Sequence, residues 1–196
     1  MLKVAVLTSD EGGCGWYRLI QPLRRLERRG EVTLTARVTM RDGRRIPCIL
    51  GSDWDAADVV LIQKAASDEI LVELGRHGAK TVFEIDDDLD RITKDNPCHR
   101  EEILPQPGLL TRMRRNARLC RLLTCTTPHL AGALKAWHGT RRVVPNGIDL
   151  DLWRPCVPRG DGQVRIGYLA SRAHVEDARL VARPLRRICD DHPGVT

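Results

Sequence analysis

Val143-Val144-Pro145-Asn146-Gly147-Ile148-Asp149-Leu150-Asp151-Leu152-Trp153-Arg154-Pro155 closes one structural unit and leads to another. Pro145 cannot donate to a sheet ladder, and Asn146-Gly147 tolerates the positive φ of a tight turn, so the apolar strand stops here. A strand-like run, Val164 to Leu169, resumes beyond it. The segment is therefore expected to be a hinge between two α/β domains. The boundaries are residues 1–154, a linker at 155–163, and the start of a second domain at 164–196.

Upstream, apolar runs alternate with helical stripes. Strands are expected at residues 3–8, 32–40, 58–63, 80–85, 122–126 and 142–144, and helices after Gly15 and at 67–77, 109–121 and 128–137. Pro22 falls inside the first stripe, so that helix is expected to start late or kink, and Gly30 is a stop signal. Arg41-Asp42-Gly43 reads as a turn, 43–54 as loop, and proline-punctuated 91–108 as irregular. Such alternation implies right-handed βαβ crossovers: a Rossmann-like, doubly wound parallel sheet, plus the first strand and helix of a second Rossmann-like domain. Val175–Ile188 carries the second unit's helical stripe, and His192–Thr196 reads as a turn into a next strand that is not reached.

Composition narrows the class. The chain has 196 residues, 42% apolar but only 4% aromatic, so aliphatic side chains must fill the core. Net charge is +6, and 27 of the 32 basic residues are arginines scattered among helices. That distribution fits solvated helix faces better than a dedicated polyanion surface. Seven cysteines without a Cys-x-x-Cys pair suit reduced thiols in the cytoplasm. The amino terminus lacks signal-peptide character, and no run approaches transmembrane length.

In a doubly wound sheet ligands gather at the strands' carboxyl ends, which selects four loops. Gly12, Gly13 and Gly15 precede a helix, where bare amides suit phosphate or sugar oxygens, and Arg18 adds a cation. As a dinucleotide fingerprint it is incomplete, since Arg18 stands where the third glycine belongs. Glu84-Ile85-Asp86-Asp87-Asp88 ends a strand. Mutual repulsion raises a carboxylate's pKa unless a cation, a hydroxyl donor or solvent compensates, which suits a general base or a hydroxyl-binding group at Asp86 and Asp87, and one or two of the carboxylates could also hold Mg²⁺. Thr127 is first of all a helix cap, with His129 beside it. Asn146 and Asp149 form the fourth loop. His174 and Asp177 share a helix face in the second unit. The histidines show no metal-ligand spacing.

In order, Gly12–Pro22, Phe83–Leu89, Thr126–Leu130, Val144–Trp153 and Ile166–Asp177 resemble the retaining GT-B glycosyltransferases of the family 4 type, in their divergent phage and bacterial forms. The resemblance implies two Rossmann-like domains facing a cleft, the first holding the acceptor and the second the nucleotide-sugar. It places Gly12, Gly13 and Gly15 near donor phosphates or acceptor, Arg18 at the cleft, and Asp86 or Asp87 as the catalytic group. Thr127, Asn146 and Asp149 become donor or acceptor contacts, and His174 the donor side of the hinge. Neither cofactor nor metal is expected. The acceptor is left open among glycan, lipid, protein and modified nucleic acid. Ala170 departs from the glycine common in these forms. The family's Arg…Lys pair and Glu-x₇-Glu element belong further along the second domain than these residues reach. Weak nucleotide-sugar binding and little turnover by this chain alone are therefore expected. Two other readings stay open: a non-catalytic polyanion or nucleic-acid binding module, and a nicotinamide-dependent oxidoreductase using Asp42.

Overall fold

The structure, a computed structural model, describes residues 1–10, 12–39, 54–156, 160 and 162–196. The 41–43 turn, the loop to 53, Asp42 and Cys48 lie outside them. Two compact units result, one of Met1–Asp90 with Gly108–Asp149, the other of Arg91–Pro107 with Leu150–Thr196.

The first unit is α/β, with a six-stranded, all-parallel sheet flanked by helices in a Rossmann-like, doubly wound arrangement. The strands are β1 (Leu2–Thr8), β2 (Val32–Thr39), β3 (Val59–Gln63), β4 (Thr81–Glu84), β5 (Leu122–Cys125) and β6 (Arg141–Val143), in the order β2-β1-β3-β4-β5-β6. The helices are α1 (Gln21–Arg28), α2 (Glu69–His77), α3 (Leu109–Leu119) and α4 (Pro128–Ala133). Continuous apolar runs make the central strands. Val4, Ala5, Val6 and Leu7 are all at most 4% exposed, as a strand covered on both faces requires. Val4, Val6 and Val32 pack with Leu19 and Leu23 of the first helix. Strand order reverses between β1 and β3, so the crossovers leaving these strands run in opposite directions and open a crevice at their carboxyl ends.

Pro22 does not delay the first helix, which is already wound at Cys14. Instead a π-helical turn, Trp16–Ile20, precedes α1, and the Gln21 amide donates to the Trp16 carbonyl. The wider turn accommodates a residue with no N–H to give and a bulky ring. It also buries Arg18, Leu19 and Ile20 together. Gly30 ends this helical segment at φ +73°, a conformation glycine adopts freely.

β6 stops at Val143, as the proline demands, but the expected Asn-Gly turn does not form. Gly147 has no positive φ. The Arg18 guanidinium instead donates to the Val144 carbonyl at 2.6 Å and to Asn146 Oδ1 at 3.0 Å, holding the segment in an open course.

The second unit centres on one helix beside an isolated parallel bridge. Its helix α5 (Val175–Asp191) is preceded by a 3-10 turn, Arg172–His174. Only the first part of the expected 164–169 strand pairs. Val164 bridges Val195 in parallel, and the Ile166 amide donates to the Thr196 carbonyl at 2.8 Å. Beyond the His192–Gly194 turn Val195 makes this isolated bridge, and no strand follows among the described residues. Leu169 is fully exposed. Arg91–Pro107 contributes a π-helical turn, His99–Ile103, and Asn96 Nδ2 donates to the Ala173 carbonyl at 2.8 Å. No helix among the described residues is long and apolar enough to cross a membrane.

Candidate functional site

The carboxyl ends of β1, β3, β4 and β6 are tied by one buried polar network. Arg18 Nε donates to Glu84 Oε1 at 2.7 Å, and both side chains are at most 3% exposed. Gln63 Nε2 donates to Glu84 Oε2 at 2.8 Å, and Gln63 Oε1 accepts from the Ser9 hydroxyl at 2.8 Å and its amide at 3.1 Å. β3 and β4 end on Gln63 and Glu84, which satisfy each other and their neighbours, as a buried charge needs in order to persist. Burial still raises the Glu84 carboxyl above its usual range, although hydrogen bonding and charge from Arg18 act to lower it.

Above this layer lies the glycine loop. Its amides are not bare: Asp10 Oδ1 accepts from Gly12 at 3.0 Å and Gly13 at 2.5 Å, and Asp10 Oδ2 from Gly15 at 3.2 Å. A carboxylate of the chain itself fills the position an external anion would seek. Gly15 is glycine for a steric reason, because a Cβ there would lie 1.8 Å from the Asp10 carbonyl oxygen.

Beside the loop, Lys64 Nζ sits 2.6 Å from Asp86 Oδ1 and 2.6 Å from Asp87 Oδ2, and donates to Cys14 Sγ at 3.5 Å. Of the two outcomes open to clustered carboxylates, compensation by a cation is the one found. Burial alone would raise Asp86, but the Lys64 ammonium and hydrogen bonds from Cys14 and Lys64 hold it below the usual carboxylate range. Asp86 is thus a poor general base and a good acceptor. Asp87, with its side chain 51% exposed, is the accessible member. The desolvated Lys64 ammonium is nevertheless held more firmly protonated, by Asp86 and then Asp87. Cys14, Asp86 and Asp87 bring one ligand atom each within 4.8 Å of one another, a spacing a divalent ion could use. In this arrangement the Lys64 ammonium supplies the positive charge.

Burial, with a contribution from Asp86 and against Lys64, pushes the Cys14 thiol up to about 12. Burial takes Cys120 to about 11 and also raises Cys125. Cys156 and Cys189 are exposed. Thiolate is the reactive form, so alkylation at pH 8 followed by mass spectrometry is expected to label Cys156 and Cys189 about tenfold faster than Cys14. Equal labelling of Cys14 would contradict the thiol's environment as described.

The remaining candidates lie apart from this cluster. The Thr127 hydroxyl accepts from the Leu130 amide at 3.1 Å, so it caps α4 as its position suggested, and His129 is exposed. Asn146 joins the Arg18 network, while Asp149 lies 3.9 Å from Arg28. His174 belongs to the second unit, where its Nδ1 is 2.8 Å from Asp177 Oδ2, and both are exposed.

Sequence reasoning passed over Ser9, Asp10, Cys14, Gln63, Lys64 and Glu84. A signal existed for some of them: Gln63 and Glu84 are polar residues closing apolar strands, and Lys64 is one of only five lysines in an arginine-rich chain. Compared with known proteins, the chain matches no family model and no curated sequence.

Proposed function

We propose that the chain is the acceptor-side part of a nucleotide-sugar-dependent glycosyltransferase, retaining in type as its ordered segments suggest. The observation that carries this reading is the gathering of Cys14, Lys64, Asp86 and Asp87 at strand carboxyl ends, beside the reversal in strand order. That is where open α/β sheets take their ligands. Asp86, held as an anion by Lys64, accepts hydrogen bonds from sugar hydroxyls and offers little driving force for proton abstraction, and Asp87 beside it is open to a ligand. Asp87 would meet the acceptor hydroxyl and Asp86 would hold the arrangement in place. In the transfer the acceptor oxygen bonds to the sugar's anomeric carbon, the nucleotide diphosphate departs with the bonding pair, and the hydroxyl proton passes to the departing phosphate oxygen.

The polyanion-binding alternative has less behind it. On α3, Arg112 donates to the Ala66 carbonyl, Arg114 pairs with Asp90, Arg115 with Asp68, and Arg118 donates to the Ala136 carbonyl. A helix whose arginines serve its neighbours is poorly placed to release counterions from nucleic acid.

Ligand-observed NMR with neutral monosaccharides, run beside a titration with duplex DNA at several salt concentrations, tests the reading. Saturable sugar binding, weakened about tenfold in Asp87→Asn, is expected from loss of charge-assisted hydrogen bonding. DNA binding with a steep salt dependence, and no sugar binding, would favour the alternative.

A further inference from the structure

Among the described residues Lys64 is the one non-glycine residue with a left-handed backbone, at φ +49°. Such a conformation is strained for a side chain with a Cβ, and glycine would relieve it. The fold holds the corner from several directions. The Lys64 amide donates to the Glu84 carbonyl at 3.0 Å. Asn116, fully buried on α3, donates through Nδ2 to the Ala65 carbonyl at 3.0 Å and the Ser67 carbonyl at 3.3 Å. Arg112 Nε donates to the Ala66 carbonyl between them at 3.1 Å. Three consecutive carbonyls are thus fastened to one helix, and the strained residue at their head carries the ammonium that sits 2.6 Å from each of two carboxylates.

Lys64 pairs with the largely buried Asp86, side chains 15% and 12% exposed, and with half-exposed Asp87, where a pair adds little, while glycine would fit the corner's backbone better. We propose that Lys64 is a ligand-orienting residue, kept in a strained backbone by α3 so that its ammonium aligns Asp86 and Asp87 for a neutral, hydroxyl-rich ligand. This rests on the sugar-binding reading above and adds its charge selectivity. Two carboxylates and one ammonium leave the cluster net negative, and the adjacent amides of Gly12, Gly13 and Gly15 are occupied by Asp10. A phosphorylated or carboxylated sugar therefore finds repulsion where a neutral one finds acceptors and a donor.

The test uses the whole chain and its Lys64→Gly, Lys64→Ala and Lys64→Arg variants, with glucose, galactose and mannose as neutral probes and glucose 1-phosphate as the anionic one. The glycine and alanine variants are expected to bind the neutral sugars about tenfold more weakly, and the arginine variant to restore most of that loss. Glucose 1-phosphate should bind the unaltered protein no better than glucose. Because both truncations remove the ammonium, their difference isolates the backbone: Lys64→Gly should melt about 2–4 °C above Lys64→Ala. Sugar binding that survives in both truncations, or a glycine variant no more stable than the alanine one, overturns the role of Lys64 alone. Failure of the unaltered protein to bind any neutral sugar overturns the sugar-binding reading and this proposal together.

Discussion

Replacing Arg18 with methionine is expected to destabilise the protein by about 3–5 kcal/mol at pH 7, the cost of leaving one member of a buried ion pair uncompensated. Arg18 reaches Glu84 at 2.7 Å with both side chains at most 3% exposed. Glu84 already binds its proton more tightly than an exposed glutamate because it is buried, and losing the guanidinium raises it further. A group whose folded pKa is raised contributes stability below its unfolded value that is lost as pH rises through the folded value. The deficit of Arg18→Met should therefore be small below about pH 4 and widen above it. Adding Glu84→Gln removes the stranded charge while keeping an acceptor for Gln63, so the double variant should recover most of the loss. Urea unfolding at several pH values reads both effects. A double variant as damaged as the sum of the singles would show that the pair is not the cause.

Gly15→Ala is the second large effect, expected at about 3 kcal/mol, at the upper end of overpacking costs. The backbone of Gly15 is helical, at φ −61° and ψ −41°, so alanine suits its dihedral angles. Space is what it lacks. The new Cβ would lie 1.8 Å from the Asp10 carbonyl oxygen and 3.1 Å from the Thr8 Cβ. Relieving that contact moves Asp10 and loosens its hold on the amides of Gly12, Gly13 and Gly15. The neighbouring glycines are internal controls. A Cβ at Gly12 meets nothing within 4 Å, and one at Gly13 meets only Asp10 Oδ1 at 3.6 Å. Alanine at either should change stability by no more than about 0.5 kcal/mol. If Gly12→Ala and Gly15→Ala cost the same, the steric account of this loop is wrong.

The sheet was legible because its information is local. Runs such as Val4–Leu7 and Val59–Ile62 announce buried strands, and Gly30 marks a helix stop that needs no distant partner. What the sequence could not convey depends on partners far along the chain. Glu84 meets Arg18 across 66 residues, and Asn146 meets it across 128, which is why the Asn-Gly dipeptide follows an open path where local rules call for a turn. Asp86 and Asp87 stand out as candidates from their place at a strand's end. Their electrostatic state does not, because the cation that sets it, Lys64, arrives from another strand. The glycine loop was read as a source of free amides, and Asp10, only two to five residues away, takes them. Pro22 signals a late start or a kink, and the π-helical turn that forms instead and buries Arg18 depends on the packing around it.

The central claim is that the carboxyl ends of β1, β3 and β4 hold a hydroxyl-bearing ligand. The most direct measurement is a ¹H–¹⁵N correlation titration of the whole protein with glucose, galactose and mannose. Saturable shifts confined to the amides of Ser9 to Gly15, Lys64 to Ser67 and Ile85 to Asp88 are the predicted result. Shifts that are absent, or that fall on the arginine-bearing helices away from these loops, would contradict it.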